Sequence, residues 1–202
     1  MKWGANHLIR YLYRMAKYTF PDLSEDIRTL MLNEVQHDIS KRTFFYNPRF
    51  NANGRKVYMP ALKEAIANGS EETLQAALED GENFNKYEAH GKKVSGSAAM
   101  TFAQAEFNRY YCRAICVKTL EQQEKKVEVF RANGVVTAKK TKADQRIGSR
   151  LDAEKLLQDL RTSVGITPTF FPEIVSGLSV QMPHVEVEAV ENVTETISEN
   201  QD

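Results

Sequence analysis

Apolar residues near the start of the chain recur at helical spacing. One stripe at positions i, i+4 and i+7 precedes Pro21 and consists of Leu8, Leu12 and Met15. A second stripe follows Ser24, a favourable N-cap residue, and consists of Ile27, Met31 and Val35. Residues repeated at this spacing share one face of an α-helix, so each stripe predicts an amphipathic helix.

Four more helices are predicted further along the chain. Pro60, a residue that suits a first helical turn, begins one that ends near 68–69, and Ser70 caps another. The longest is predicted over about 97–123, where apolar residues recur on one face. The last amphipathic pattern covers 151–164.

Two segments combine strand-forming residues with a tight-turn signal. Near 43–59, aromatic residues and a valine flank Asn53-Gly54. Near 126–138, an alternating segment leads into Asn133-Gly134. Because Asn-Gly supplies the positive φ angles of a tight turn, the first segment is predicted to form an irregular hairpin or an ordered loop, and the second a small β-hairpin.

The C-terminal part of the chain has a different composition. Residues 166–183 contain three prolines and a glycine, which predict an extended arm running along a surface. Residues 184–202 are acidic and polar, a composition typical of disorder in isolation. We therefore expect a mainly α fold with small β-hairpins: a globular domain over 1–165, an extended arm and an acidic tail.

Charge is segregated along the chain behind a net charge of zero. Residues 1–150 contain 25 Lys and Arg against 17 Asp and Glu, a surplus of +8. Residues 173–202 contain seven acidic residues and no basic one, and residues 151–172 carry the remaining −1. A tail of this kind can fold back on the basic body, bind a neighbouring copy or remain in water.

Length and composition indicate a globular protein that buries a core. The chain has 202 residues, of which 42% are hydrophobic and 27% charged. It has no apolar run approaching the ~18 residues of a membrane span and no secretory signal pattern at its start. Its two cysteines are too few for a disulfide framework, which favours a cytoplasmic location, or a virion if the source is viral.

The loop before the longest helix is a candidate anion site. Lys92 and Lys93 stand among small residues, and Ser97 follows at the predicted helix start, where free backbone N–H groups favour negative charge. The loop lacks the spacing of a Walker motif. The alternative is a flexible, capped loop with solvated lysines.

Two basic stretches are candidate nucleic-acid contacts. The first interleaves Arg49, Arg55 and Lys56 with aromatic residues, a mixture that suits single-stranded nucleic acid, although aromatics around a turn more often fill a core. The second is a predicted hairpin arm with the basic residues Lys139, Lys140 and Lys142. Such an arm can contact phosphate groups or a neighbour's acidic tail, or form a solvated surface.

The sequence assigns no catalytic residue, no metal ligand and no cofactor. Cys112 and Cys116 share a helix face but lack the further ligands of a zinc site, so we expect them to be structural and half-buried. Glu106, Arg109 and Arg113 have the spacing of an ion-pair ladder that supports the long helix.

Three functional hypotheses remain. The leading one is a non-enzymatic subunit of a multi-copy assembly, such as a virion or connector component, in which a basic body binds the acidic arm of other copies or subunits. The arm residues for this contact are Glu186, Glu188, Glu191 and Glu195. The alternatives are a nucleic-acid-binding protein with an autoinhibitory acidic tail, and an enzyme that binds phosphorylated substrates through Lys92, Lys93 and Arg109.

Overall fold

The computed structural model describes residues 17–133, 142–163, 168–171 and 176–183. The helices in these ranges are α1 (Glu25–Lys41), α2 (Ala52–Asn68), α3 (Glu71–Glu79), α4 (Ala98–Glu121) and α5 (Ala153–Thr162). The strands are β1 (Lys126–Arg131), β2 (Arg150–Asp152) and β3 (Leu178–Gln181). The prediction of a mainly α fold with a small β element is confirmed. The helix predicted from Leu8, Leu12 and Met15 lies outside the described residues.

The predicted start and apolar face of α1 are confirmed. The Ser24 hydroxyl accepts a hydrogen bond from the Ile27 amide, as an N-cap does. Ile27, Met31 and Val35 are all buried. The helix ends at Lys41, and the next residue, Arg42, has a positive φ of 59° that stops the helical path.

Helix α4 occupies the centre of the fold. It packs against α1, α3, α5 and the sheet. A helix surrounded in this way must bury polar as well as apolar side chains. The buried polar side chains of α4 are Gln104, Glu106, Asn108, Arg109, Arg113 and Thr119.

The three strands form an antiparallel sheet in the order β2-β1-β3. Val129 of β1 pairs with Val180 of β3, and Val127 pairs with Leu151 of β2. The Asn108 side chain of α4 donates a hydrogen bond of 2.9 Å to the Leu178 carbonyl. This bond and the burial of β3 attach the C-terminal strand to the central helix.

The hairpin predicted near 43–59 is wrong, because α2 begins at Ala52 and continues through Asn53-Gly54 and Pro60. The Asn51 side chain accepts a hydrogen bond of 2.9 Å from the Gly54 amide and so caps the helix. Asn-Gly here belongs to a first helical turn instead of a hairpin turn. Pro60, which was expected to begin the helix, lies inside it.

The β-structure predicted near 126–138 is confirmed for β1, whose partners β2 and β3 are distant in sequence. Residues 134–141, the expected second strand of that hairpin, lie outside the described residues.

The surface arm predicted over 166–183 is wrong at its end, where Leu178 and Val180 are fully buried in β3. Pairing with β1 places these two apolar side chains in the core, and burying them is favourable.

Candidate functional site

A cleft of about 550 Å³ opens between the end of α3 and the start of α4. Leu78, Ala98 and Ala99 line it and are buried, so its floor is apolar. Lys86 and Lys93 also line it, and both are exposed. A cleft of this size accommodates a small ligand or several side chains of a partner.

Two backbone hydrogen bonds fold the loop before α4 back on itself. Val94 donates to the Lys86 carbonyl at 3.0 Å, and Glu88 donates to the Lys92 carbonyl at 2.8 Å. This fold places Lys93 on the wall of the cleft and Lys92 at the turn of the loop, where it is exposed. The lysine pair from the sequence is thus divided between the cleft and the loop tip.

Ser97 directly precedes α4, as predicted, but its side chain does not cap the helix. Its hydroxyl lies 2.9 Å from the Ser95 hydroxyl, within the loop. Ser95 also accepts a hydrogen bond from the Ser97 amide. The two serines therefore stabilise the approach to the helix.

Arg49 lies beside the same loop, although it belongs to a separate stretch of the sequence. The Asn85 amide donates to the Arg49 carbonyl at 2.8 Å. The Arg49 guanidinium forms an ion pair with Glu88 at 2.7 Å, and His90 lies 2.9 Å from the other oxygen of that carboxylate. Because Glu88 neutralises Arg49, this arginine offers a ligand less charge than an unpaired cation does.

Arg55 and Lys56 are exposed near the start of α2. This end of the helix is held against one wall of the cleft by Asn51, which donates to the Glu82 carbonyl at 2.5 Å. We call residues 47–58 together with 81–97 the basic surface. It contains six Lys and Arg and two Glu, a surplus of +4.

The aromatic residues of the first basic stretch belong to the core. Phe50 and Tyr58 are buried, and the Tyr58 ring stacks on Phe44 with ring centroids 5.3 Å apart. The alternative interpretation, that these aromatics fill a core, is therefore confirmed for both buried rings. Tyr87, in contrast, is 61% exposed and lines the cleft.

Lys86 and Tyr87 were missed by the sequence analysis. Their signal was an adjacent cation and aromatic just before the glycine-containing loop. The signal was weak because only the folding of that loop brings both Lys86 and Lys93 into the lining of one cleft.

A second cluster of charged groups lies inside the helical core. Arg113 of α4 donates to Glu34 at 2.8 Å and to Asp38 at 2.6 Å, and both acceptors belong to α1. Arg161 of α5 donates to Glu34 at 2.5 Å. Burial raises the pKa of both carboxyl groups, but the hydrogen bonds and charges of the arginines outweigh burial and lower the pKa of each.

Glu106 and Arg109 extend this buried cluster along α4. The Tyr58 hydroxyl donates to Glu106 at 3.0 Å, and burial raises the pKa of the Glu106 carboxyl despite the attraction of Arg109. Arg109 donates to the Leu160 carbonyl at 3.3 Å, and its Nε lies 3.7 Å from Glu106. The predicted ion-pair ladder is therefore an interior network that joins several helices.

The three residues of the phosphorylated-substrate hypothesis are not brought together. Arg109 is buried beneath α5, whereas Lys92 and Lys93 are exposed on the loop before α4. Arg109 also lies about three helical turns beyond the start of α4. Its hydrogen bonds to the Leu160 and Ser163 carbonyls give it a structural role.

The remaining candidate residues lie away from the cleft lining or outside the described residues. Lys142 is exposed, and nearby an Arg131–Asp144 ion pair joins the two ends of the segment that contains the predicted basic arm. Six candidates lie outside the described residues: Lys139, Lys140, Glu186, Glu188, Glu191 and Glu195.

Neither the described part of the structure nor the comparisons with known proteins assign a metal site, a membrane span or a family to this chain. Within the described ranges, no three His, Cys, Asp or Glu side chains are grouped to hold a metal ion. None of the helices described is both long and apolar enough to cross a membrane. Comparison with protein-family models, curated proteins and solved structures finds no match to this chain.

Proposed function

We propose that this protein is a non-enzymatic subunit of a multi-copy assembly, in which the acidic C-terminal segment of one copy binds the basic surface of another. The observation that carries the proposal is the burial of β3 directly before that segment. Leu178 and Val180 are fully buried, and the Met182 amide donates to the Asp22 carboxylate at 2.9 Å. These contacts hold the chain at Met182, two residues before the acidic segment begins in the sequence.

The charges of the two partners in this contact are opposite. Residues 184–202 contain six acidic residues and no basic one, and the basic surface has a surplus of +4. Opposite charges on two surfaces favour their association and speed the encounter between copies. Attraction between exposed charges is screened over about 10 Å at 0.1 M salt, so the assembly is expected to weaken as salt rises.

The test measures the mass of the full-length protein by light scattering at low and at high salt. The comparison variant replaces Glu186, Glu188, Glu191 and Glu195 with glutamine. The matched control makes the same change at four exposed glutamates of the body, and these are Glu64, Glu121, Glu124 and Glu154. Both variants lose four negative charges, so only the position of the charges differs.

The proposal expects the wild-type protein and the control variant to form an oligomer whose mass falls as the salt concentration rises. The C-terminal variant is expected to be a monomer with the mass of one chain, 23.0 kDa. A monomer at every salt concentration contradicts it. An oligomer that persists equally in the C-terminal variant contradicts the part assigned to the acidic segment.

A second candidate is a nucleic-acid-binding protein whose acidic segment competes with phosphate. Tyr87 favours it, because an exposed aromatic ring beside Lys86 and Lys93 suits stacking on a base. For this function, the C-terminal glutamine variant is expected to bind a single-stranded oligonucleotide more tightly, with a steep dependence on salt. Unchanged oligonucleotide binding in that variant contradicts it.

A further inference from the structure

We infer that residues 14–16 dock in a second groove between α3 and α4 of their own chain, and that Arg14 pairs there with Glu79. The lining of this groove, its charge and its covalent link to the preceding chain support the contact. The contact lies within one chain and away from the basic surface, so it is independent of the assembly proposed above.

The groove has a volume of about 320 Å³ and is lined by both helices. Met100 and Gln104 line it from α4, and both are buried. Four residues line it from α3, at positions i, i+3, i+4 and i+7 of one helix face: Glu72, Gln75, Ala76 and Glu79. Among the described residues, this face of α3 is exposed or half-buried, so it is open to a further segment of chain.

The lining of the groove is acidic, because it contains three glutamates and one lysine. Lys17 pairs with Glu72 at 2.9 Å, and the buried Glu71 accepts a hydrogen bond of 3.0 Å from a backbone amide. Glu79 is exposed, and its hydrogen-bond partner in the described part of the chain is the neutral Gln75 side chain, at 2.9 Å. Glu79 is therefore the carboxylate that an additional cation would neutralise.

Residues 1–16 join the described body at the wall of this groove. Lys17 itself lines the groove, and the next residue, Tyr18, is held by its amide, which donates to Glu71. The Tyr18 side chain is buried as well. These contacts hold Lys17 in place, so the residues directly before it start at the groove.

The chain that leads to the groove is basic. Its sixteen residues contain three Lys and Arg and no Asp or Glu. The last three are Arg14, Met15 and Ala16, a cation followed by two apolar side chains. The groove offers matching surfaces in the Glu79 carboxylate and the exposed apolar side chain of Ala76.

Distances along the chain permit the pairing. Arg14 precedes Lys17 by three residues, which span at most about 10 Å when extended. Glu79 lies seven residues beyond Glu72, the partner of Lys17, which is about 10 Å along α3. The long arginine side chain adds to this reach. A tether of three residues also gives Arg14 a far higher effective concentration at its own groove than a second copy provides.

Zero-length cross-linking tests the pair in the full-length protein. The Arg14→Lys variant keeps the charge and supplies an amine, which a carbodiimide couples to a carboxylate in contact with it. The expected product is an amide bond between residue 14 and Glu79, identified by mass spectrometry in the band of one chain, 23.0 kDa. The Lys17–Glu72 pair, at 2.9 Å, is the internal positive control.

A matched pair of variants shows whether the cross-link is specific. Adding Glu79→Gln to Arg14→Lys should abolish the link, whereas adding Glu64→Gln should leave it. Glu64 is the control because it is also an exposed helical glutamate that accepts a hydrogen bond from an amide side chain of its own helix, Asn68, at 3.0 Å.

Limited digestion with trypsin measures docking without a change at position 14. In the Glu79→Arg variant, cleavage after Arg14 is expected to be about threefold faster than in wild type, because the ion pair that restrains the segment is lost. The Glu64→Arg variant has the same change in charge and should be cleaved at the wild-type rate.

Three results would overturn the inference. A sample in which Lys17 is linked to Glu72 but residue 14 is not linked to Glu79 would show that Arg14 lies elsewhere. A link to Glu79 found only in a band of two chains would assign the groove to a second copy. Equal rates of cleavage after Arg14 in wild type and the Glu79→Arg variant would show that the groove does not hold the segment.

Discussion

Arg113 donates hydrogen bonds to both carboxylate oxygens of Asp38, at 2.6 Å and 2.8 Å, and the exposed fractions of the two side chains are 0% and 1%. The pair joins the central helix α4 to α1. Asp38 also accepts a hydrogen bond of 3.0 Å from Tyr110. A bidentate, desolvated pair of this kind is costly to break from one side, because the partner remains as an uncompensated buried charge.

Replacing Arg113 with methionine is expected to destabilise the protein by about 3–5 kcal/mol, because Glu34 and Asp38 would lose their shared donor. The free energy of unfolding from urea titration measures the effect. The control is Lys118→Met on the same helix, which removes a solvent-accessible ion pair with Asp26 and is expected to change the free energy of unfolding far less, because water screens that pair. Equal costs for the two variants would contradict a structural role for the buried cluster.

Asp38→Asn is expected to make the loss of stability depend on pH. Because the folded pKa values of Glu34 and Asp38 are lowered, their stabilising contribution is present above their usual pKa values of 4.5 and 3.8. It disappears as the pH falls through the lowered folded values. The difference in unfolding free energy between wild type and variant should thus be large at pH 7 and should shrink below about pH 4.

Unfolding titrations at pH 7, 5, 4 and 3 measure this difference. The exposed Glu121→Gln variant is the control, and its difference from wild type is expected to stay within about 0.5 kcal/mol at each pH. A constant difference for Asp38→Asn across the series would show that the pair is not ionised in the folded protein.

The fold could be predicted from the sequence where the periodicity of apolar residues was unambiguous. The stripe of Ile27, Met31 and Val35 is an example, since all three side chains are buried in α1. The failure near 43–59 has a physical cause, because Asn-Gly serves equally as a hairpin turn and as the first turn of a capped helix. The deciding contact, between Asn51 and the Gly54 amide, became visible only in the folded chain.

The candidate site was predictable only in part for a similar reason. Lys93 was identified from its loop, but its partner Lys86 depended on how that loop folds. For Glu106 and Arg113, spacing on one helix predicted ion pairs, but not that Arg113 would bind residues of α1 at distances of 2.6–2.8 Å. Spacing along one helix does not reveal which other helix will cover it.

Gly54→Ala is expected to destabilise the protein by about 1–3 kcal/mol, although alanine is the better helix former. A Cβ at position 54 would lie 2.1 Å from the Asn83 carbonyl oxygen, and that backbone atom cannot move without disturbing the wall of the cleft. The midpoint of thermal unfolding measures the effect. Gly96→Ala is the control, since a Cβ there meets nothing within 4 Å. An unchanged midpoint for Gly54→Ala would mean that α2 does not approach Asn83 this closely.

Cys112 and Cys116 are expected to resist thiol reagents in the folded protein. Both are fully buried, and burial raises the pKa of the Cys112 thiol to about 11. Only the thiolate reacts, so at pH 8 its fraction at Cys112 is roughly two hundredfold below that of a free cysteine of pKa 8.5. A colorimetric disulfide reagent should therefore titrate two thiols in guanidinium and almost none in native buffer. The Cys112 sulfur lies 3.5 Å from the Ser179 hydroxyl, where α4 contacts β3. Rapid reaction of Cys112 in native buffer would therefore show that this contact opens readily.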